Sequence, residues 1–169
     1  VEDPPEPPVL ESDRGRHPLD PELVSVHAYN RIIVEVLGSI QRQFVFHATA
    51  VAGDDGAILI SGPSTFGKST LGLHLALTGF RWVADDVGIL DRESGRLRPF
   101  DRPLRLRPGA RATLSPEARN EALAARIVEE GDDWIVRPGA WLGMQDDPVP
   151  VRTVAIAGWA DVAERLAAV

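Results

Sequence analysis

The sequence predicts a single α/β domain built around a phosphate-binding loop. Three observations carry that expectation. Ala57–Ser61 is a short, almost wholly apolar run of strand length; Gly62–Ser69 reads GPSTFGKS; and Ser69–Thr78 continues as a helix closed by Gly79. The middle stretch fits the pattern G-x-x-x-x-G-K-[ST], and strand before plus helix after is the context that pattern requires.

The totals agree with a folded domain and narrow its partners. A chain of 169 residues can bury a sizeable core, and 44% hydrophobic with 25% charged residues matches globular averages, which argues against wholesale disorder. The net charge of −7 argues against a nucleic-acid surface but not against a nucleotide site, which needs only a local positive pocket. Without cysteine there is no disulfide and no Cys-ligated zinc. The apolar runs are too short to span a bilayer, and no basic-then-apolar leader opens the chain. The expectation is a soluble, cytoplasmic protein with neither nucleic acid nor membrane as partner.

In chain order, residues 1–19 carry five prolines among acidic side chains and read as a mobile tail, leaving 20–169 as the domain. Asp20-Pro21-Glu22 starts a helix, and Leu23, Val26, Ile33, Val36, Leu37 and Ile40 keep helical spacing to about Gln43. Phe44–Ala52 reads as a strand and Gly53–Gly56 as a tight turn into Ala57–Ser61. After the loop and its helix, Phe80–Leu90 reads as a third strand interrupted by Asp85-Asp86. Arg92–Gly95 is a hairpin turn into an arginine-rich strand region. Ser115-Pro116-Glu117 opens a helix to about Glu130; Trp134–Arg137 and Val151–Trp159 are late strands, and Asp161–Ala168 a terminal helix.

The residue types in the loop suit phosphate chemistry. Successive backbone N–H groups at a helix start surround an anion, and Gly62 and Gly67 permit geometry and approach that a Cβ would block. Lys68 is the single lysine among 18 basic residues, and it stands where a slim point charge serves a narrow loop better than a planar guanidinium. The hydroxyl of Ser69 can ligate Mg²⁺. The expected nucleotide-binding set is therefore Gly62, Pro63, Ser64, Thr65, Phe66, Gly67, Lys68, Ser69 and Thr70, with ATP and Mg²⁺ as ligands.

Asp85 and Asp86 interrupt an apolar strand, and unpaired charges are rarely buried without a task. Neighbouring strand residues face opposite ways, so one alone faces the loop unless the strand ends or bulges there. A phosphoryl-transfer site can use both, one carboxylate for the metal and one to accept a proton. His47 lies in the strand expected beside the loop's own. On spacing alone, a lone histidine in an apolar strand is more often a core residue than a catalyst.

Residues 46–90, FHATAVAGDDGAILISGPSTFGKSTLGLHLALTGFRWVADDVGIL, resemble the catalytic core of the HPr kinase/phosphorylase family and its HPr-kinase-related proteins, those like the HPr serine kinase C-terminal domain. Residues 99–109 resemble, more weakly, the segment that follows in related kinases. The resemblance implies a phosphoenolpyruvate-carboxykinase-like variant of the P-loop fold, a mixed sheet with flanking helices. It implies ATP-dependent transfer of phosphate to a serine-type hydroxyl of a protein or peptide acceptor, such as an HPr-like phosphocarrier or a precursor peptide. By position, His47 and Lys68 become catalytic residues, Asp85 contacts Mg²⁺ with Ser69, and Asp86 orients and deprotonates the acceptor hydroxyl. The family's tendency to oligomerise makes a homo-oligomer an expectation too.

Three departures separate the chain from the family proper. Thr65 replaces the first glycine of the usual Ser-Gly-x-Gly-Lys-Ser, and a β-branched residue fits poorly where φ must be positive. Thr70 stands where the family has glutamate, and the signature tied to the phosphorylase reaction is not found downstream. Together they point to a related kinase with its own substrate. The alternatives are a nucleotide-binding sensor or scaffold without catalysis, and a small-molecule kinase of the same fold.

Six arginines fall within residues 96–111. They read either as a docking surface for an acidic peptide or nucleotide phosphates, or as a solvated strand face. Arg105 and Arg107 share a face if Leu104–Arg107 is extended, and are the preferred pair for substrate or phosphate contact. Trp134, Trp141 and Met144 read either as a substrate-facing loop or as the closing edge of a core.

Overall fold

A computed structural model describes residues 9–12, 15–18, 32, 33, 36 and 42–156. The chain divides into two compact units, Val1–Gln41 and Arg42–Val169. In the first, β1 (Val9–Ser12) pairs antiparallel with β2 (Gly15–Pro18), and Ile32, Ile33 and Val36 are helical. The rest of the expected acidic tail and of the helix from Asp20 lies outside the described residues, as does the terminal helix expected at Asp161–Ala168.

The second unit is α/β, with a mixed sheet of seven strands. Its strands are β3 (Gln43–Phe46), β4 (Ala48–Gly53), β5 (Gly56–Ser61), β6 (Arg81–Ala84), β7 (Gly88–Asp91), β8 (Arg96–Arg98) and, at the end, β12 (Val149–Ile156). They run in the order β3-β7-β8-β12-β5-β4-β6. Only β12 and β5 pair in parallel; the other neighbours in this sheet are antiparallel. Helix α1 (Lys68–Leu77) follows the loop, and α2 (Pro108–Ala112) and α3 (Pro116–Ala124) follow β9 (Leu104–Leu106). A three-stranded sheet, β10 (Arg126–Glu130), β11 (Asp133–Val136) and β9, completes the unit in the order β10-β11-β9.

Strand alternation separates two cores. Ala48, Ala50 and Ala52 of β4 join Leu59, Val83, Leu97 and Val149 in one buried cluster. Val51, on the opposite face of β4, joins Leu73 and Ala76 of α1, Trp82, and Leu104, Leu106 and Val136 of the small sheet in the other. Helix α1 is thus packed on the large sheet while the small sheet shares its apolar stripe. Its contact with β4 is close: a Cβ added at Gly72 would meet Cγ2 of Thr49 at 2.5 Å.

Four expectations change. The strand expected over Phe44–Ala52 breaks at His47, and the one over Phe80–Leu90 is two strands with different partners, β6 on β4 and β7 between β3 and β8. The helix expected to reach Glu130 stops at Ala124; Arg126–Glu130 is a strand, because Ile127 and Val128 suit a ladder and Gly131 at φ 59° turns the chain into β11. The last strand begins at Val149 rather than Val151, where Val149 and Pro150 pair with β8 at the far end of the parallel ladder. Trp134, Trp141 and Met144 pack against the second core, which favours the core-edge reading over a substrate-facing loop. Among the described residues, no helix is long and apolar enough to cross a membrane.

Candidate functional site

The loop leaves β5 at Ser61 and enters α1 at Lys68, with Gly67 as N-cap at φ 82°. Nothing lies within 4 Å of a Cβ built at Gly67, so backbone conformation, not crowding, calls for glycine there. Thr65 sits at φ 71°, in the left-handed region that a β-branched side chain resists. The sequence departure at this position therefore falls on a residue whose geometry favours glycine. Among the described residues only Thr65 and Asp86, at φ 61°, are non-glycine residues with positive φ. Both line the same cleft.

The acidic pair and His47 meet at a shared break. The β3–β7 ladder sets Phe46 opposite Gly88, and the β4–β6 ladder sets Ala50 opposite Ala84. These two pairs share one register, although the β4–β6 ladder shifts by a residue between Ala50 and Val51; carried across the gap, that register puts Thr49 opposite Asp85 and Ala48 opposite Asp86. His47 and Asp85–Val87 are thus the interruption in one long antiparallel pair. Because β6 ends at Ala84, strand alternation does not force the two carboxylates onto opposite faces, and both reach the cleft.

Asp85 is 6% exposed. Thr49, itself fully buried, donates its hydroxyl to Oδ1 of Asp85 at 2.5 Å, and the Ser69 hydroxyl also bonds the carboxylate. Burial raises the Asp85 pKa above the ordinary value; the bonds from Thr49 and Ser69 oppose that rise, and the charge of Asp86 adds to it. Such a carboxylate is poised to gain from a cation beside it.

Lys68 is 5% exposed, and its ammonium is satisfied by the Pro63 carbonyl at 2.9 Å and by Nε2 of His47 at 3.1 Å. An ammonium only donates, so Nε2 accepts and the ring proton resides on Nδ1. That nitrogen faces the Asp86 carbonyl at 3.2 Å and Oδ1 of Asp86 at 3.6 Å. His47 therefore links the loop lysine to the second aspartate, while Ser64 Oγ lies 3.4 Å from Nε2.

The cleft, ≈ 440 Å³, gathers His47, Ser64, Thr65, Gly67, Lys68, Ser69, Thr70, Asp85 and Asp86 with Arg105 and Arg107. Gly62, Pro63 and Phe66 of the expected set do not line it; Pro63 acts through its carbonyl, and Phe66 is half exposed at the loop's tip. Arg105 and Arg107 flank buried Leu106, as alternation requires. Their roles divide, because Arg105 is held by Asp133 at 2.6 Å and Glu130 at 3.0 Å. The Arg107 guanidinium has no hydrogen bond or ion pair among the described residues, and it is exposed toward the cleft. Elsewhere in the basic run, Arg98 pairs with Asp91 at 3.1 Å, and Arg96 and Arg111 bond the carbonyls of Pro148 and Asp132. Arg98 and Arg105 are thus charge-paired and Arg96 and Arg111 are tied to backbone carbonyls, while Arg107 is the member of the run left free among the described residues to meet an anion in the cleft.

Ser69 and Asp85 suit a hard divalent cation, which takes oxygen donors and completes its shell with water and phosphate oxygens. Among the described residues, no group of three or more His, Asp or Glu side chains could hold a metal unaided. Thr49 and Gly72 escaped sequence reading. The signal for Thr49 was its place two residues after His47, on the face of β4 that turns toward the loop's helix; for Gly72 there was none beyond being a glycine in a helix. Compared with known proteins, the chain matches no protein-family model and no curated sequence.

Proposed function

We propose that this protein is an ATP-dependent kinase that transfers phosphate to a serine-type hydroxyl of a protein or peptide, on a phosphoenolpyruvate-carboxykinase-like P-loop fold. The observation that carries the reading is the convergence on one cleft of a loop lysine, a half-buried Ser69 bonded to the buried Asp85, and Asp86 beside His47. Phosphate binding alone would need only the loop. A second, less buried carboxylate next to an oriented imidazole is what proton removal from an acceptor requires.

In this reading, the loop amides and Lys68 bind the phosphates. Ser69 and Asp85 would hold Mg²⁺, which when bound neutralises charge on the phosphate oxygens. Asp86 accepts the proton of the acceptor hydroxyl as its oxygen bonds to the terminal phosphorus; the bond to the bridging oxygen breaks, and ADP leaves with that electron pair. His47 steadies Asp86 through Nδ1–H and Lys68 through Nε2. Arg107 meets the transferred phosphate or an acidic acceptor, while Arg105 braces β9 against Asp133 and Glu130. Water must be kept from the phosphorus, or the site acts as an ATPase.

The rival reading is a nucleotide sensor without catalysis, and the strained Thr65 is the observation that favours it. A small-molecule kinase shares every residue above and differs only in acceptor. The deciding experiment compares Mg-ATP binding and turnover in wild type, Lys68→Ala and Asp86→Asn. Lys68→Ala should lose nucleotide affinity, whereas Asp86→Asn should keep it and lose about 10²–10⁴-fold in transfer rate. Tight binding with no transfer to any peptide, protein or metabolite acceptor would favour the sensor. A wild type that binds no Mg-ATP would sink all three.

A further inference from the structure

Asp85 is held by a side chain that phosphate-loop chemistry does not call for. Thr49 is fully buried and its hydroxyl bonds Oδ1 of Asp85 at 2.5 Å, a short bond of the kind made to a charged acceptor. A hydroxyl has one proton, so this contact uses all its donor capacity. Its methyl is fixed as well. Cγ2 lies over Gly72 so closely that a Cβ there would approach it to 2.5 Å. A β-branched side chain confined on both branches has one accessible rotamer, so strand and helix backbones together dictate where Oγ1 stands.

We propose that Thr49 is a positioning residue that biases the cation of the site, by taking one lone pair of Oδ1 and fixing the carboxylate so that Oδ2 is the oxygen Asp85 presents to a divalent ion. The inference rests on reading Ser69 and Asp85 as the Mg²⁺-holding pair. Mg²⁺ demands near-ideal octahedral geometry and keeps several waters, so one carboxylate oxygen suffices. Ca²⁺ takes more ligands and readily accepts a carboxylate through both oxygens. A carboxylate with one oxygen pinned in a buried wall suits the first ion and handicaps the second. The bond from Ser69 leaves the arrangement intact, since that hydroxyl can itself turn a lone pair to the ion. Gly72 belongs to the same device, because any larger residue in α1 would push the threonine off its acceptor.

The test uses Mn²⁺ with ADP as the probe, read by the loss of the free-ion paramagnetic resonance signal, with Mg²⁺ or Ca²⁺ as competitor. Wild type and Thr49→Ser should favour Mg²⁺. Thr49→Val, which keeps the shape and removes the hydroxyl, should shift the competition ratio toward Ca²⁺ by roughly ten-fold. Thr49→Ala removes the hydroxyl without bulk and carries the same expectation should the valine variant fold poorly. Equal ratios in wild type and the hydroxyl-free variants, with Mn²⁺–ADP bound by all, overturn the inference and leave the kinase reading standing. Failure of the wild type to bind Mn²⁺–ADP overturns both.

Discussion

Lys68 donates from Nζ to Nε2 of His47 at 3.1 Å, and this single contact fixes the imidazole proton on Nδ1, toward Asp86. A long-range nitrogen–proton spectrum should show one ring nitrogen bare, Nε2, in the neutral protein. Lys68→Met, which takes away the donor, should let both tautomers appear. A wild-type ring with its proton on Nε2 would contradict the geometry.

Thr65 holds a left-handed backbone that costs a non-glycine residue about 1–2 kcal/mol. Thr65→Gly relieves this but adds chain entropy to the unfolded state, a counter-effect of about 0.5–1 kcal/mol. The net expectation is a modest rise in unfolding midpoint, with tighter Mg-ATP binding as the loop needs less force to keep its shape. A lower midpoint in chemical denaturation would show that Thr65 makes contacts worth more than its strain.

Gly72→Ala drives a methyl into Cγ2 of Thr49 at 2.5 Å, deep between helix and strand where neither backbone can yield cheaply. Overpacking of this kind costs about 1–3 kcal/mol. Thermal unfolding should register it, and Thr49→Ser, which lacks the obstructing methyl, should rescue most of it in the double variant. Additive effects of the two substitutions would mean the contact is not the cause.

Asp91 caps the β7–β8 turn. Its carboxylate accepts from the Ser94 backbone N–H at 2.8 Å, from the Ser94 hydroxyl at 2.9 Å, and from Arg98 at 3.1 Å, in that order of effect, and its pKa falls from 3.8 to about 2. A depressed carboxylate stabilises the fold fully above its unfolded value and loses that contribution as pH falls through the folded one. Wild type should therefore weaken between about pH 4 and about pH 2. Asp91→Asn should flatten that part of the acid-unfolding curve, and an unchanged slope would show that the turn adds nothing.

Local chemistry was legible and long-range pairing was not. GPSTFGKS announced its strand, loop and helix because each residue type there answers a backbone or charge requirement within eight positions. Arg105 and Arg107 were placed on one face by alternation alone, yet alternation could not tell that Asp133 and Glu130, far along the chain, would take the first. Asp85-Asp86 was visible as a disturbance in an apolar strand; that the strand ends there depends on β6 and β7 choosing different partners, which no local pattern records. The helix expected to Glu130 failed for a similar reason, since Arg126–Glu130 finds its ladder only through β11. His47 looked like a core residue by spacing, and only the break beside it turns it toward the lysine.

The parallel ladder between β5 and β12 joins the strand that feeds the loop to residues some ninety positions later. During synthesis, that flank of β5 stays bare until Val151–Ile156 has left the ribosome. The loop that follows β5 is therefore made some ninety residues before the strand that supports β5 on that flank. Nascent chains halted before Val149 should leave the loop open to protease, and chains released beyond Ile156 should protect it.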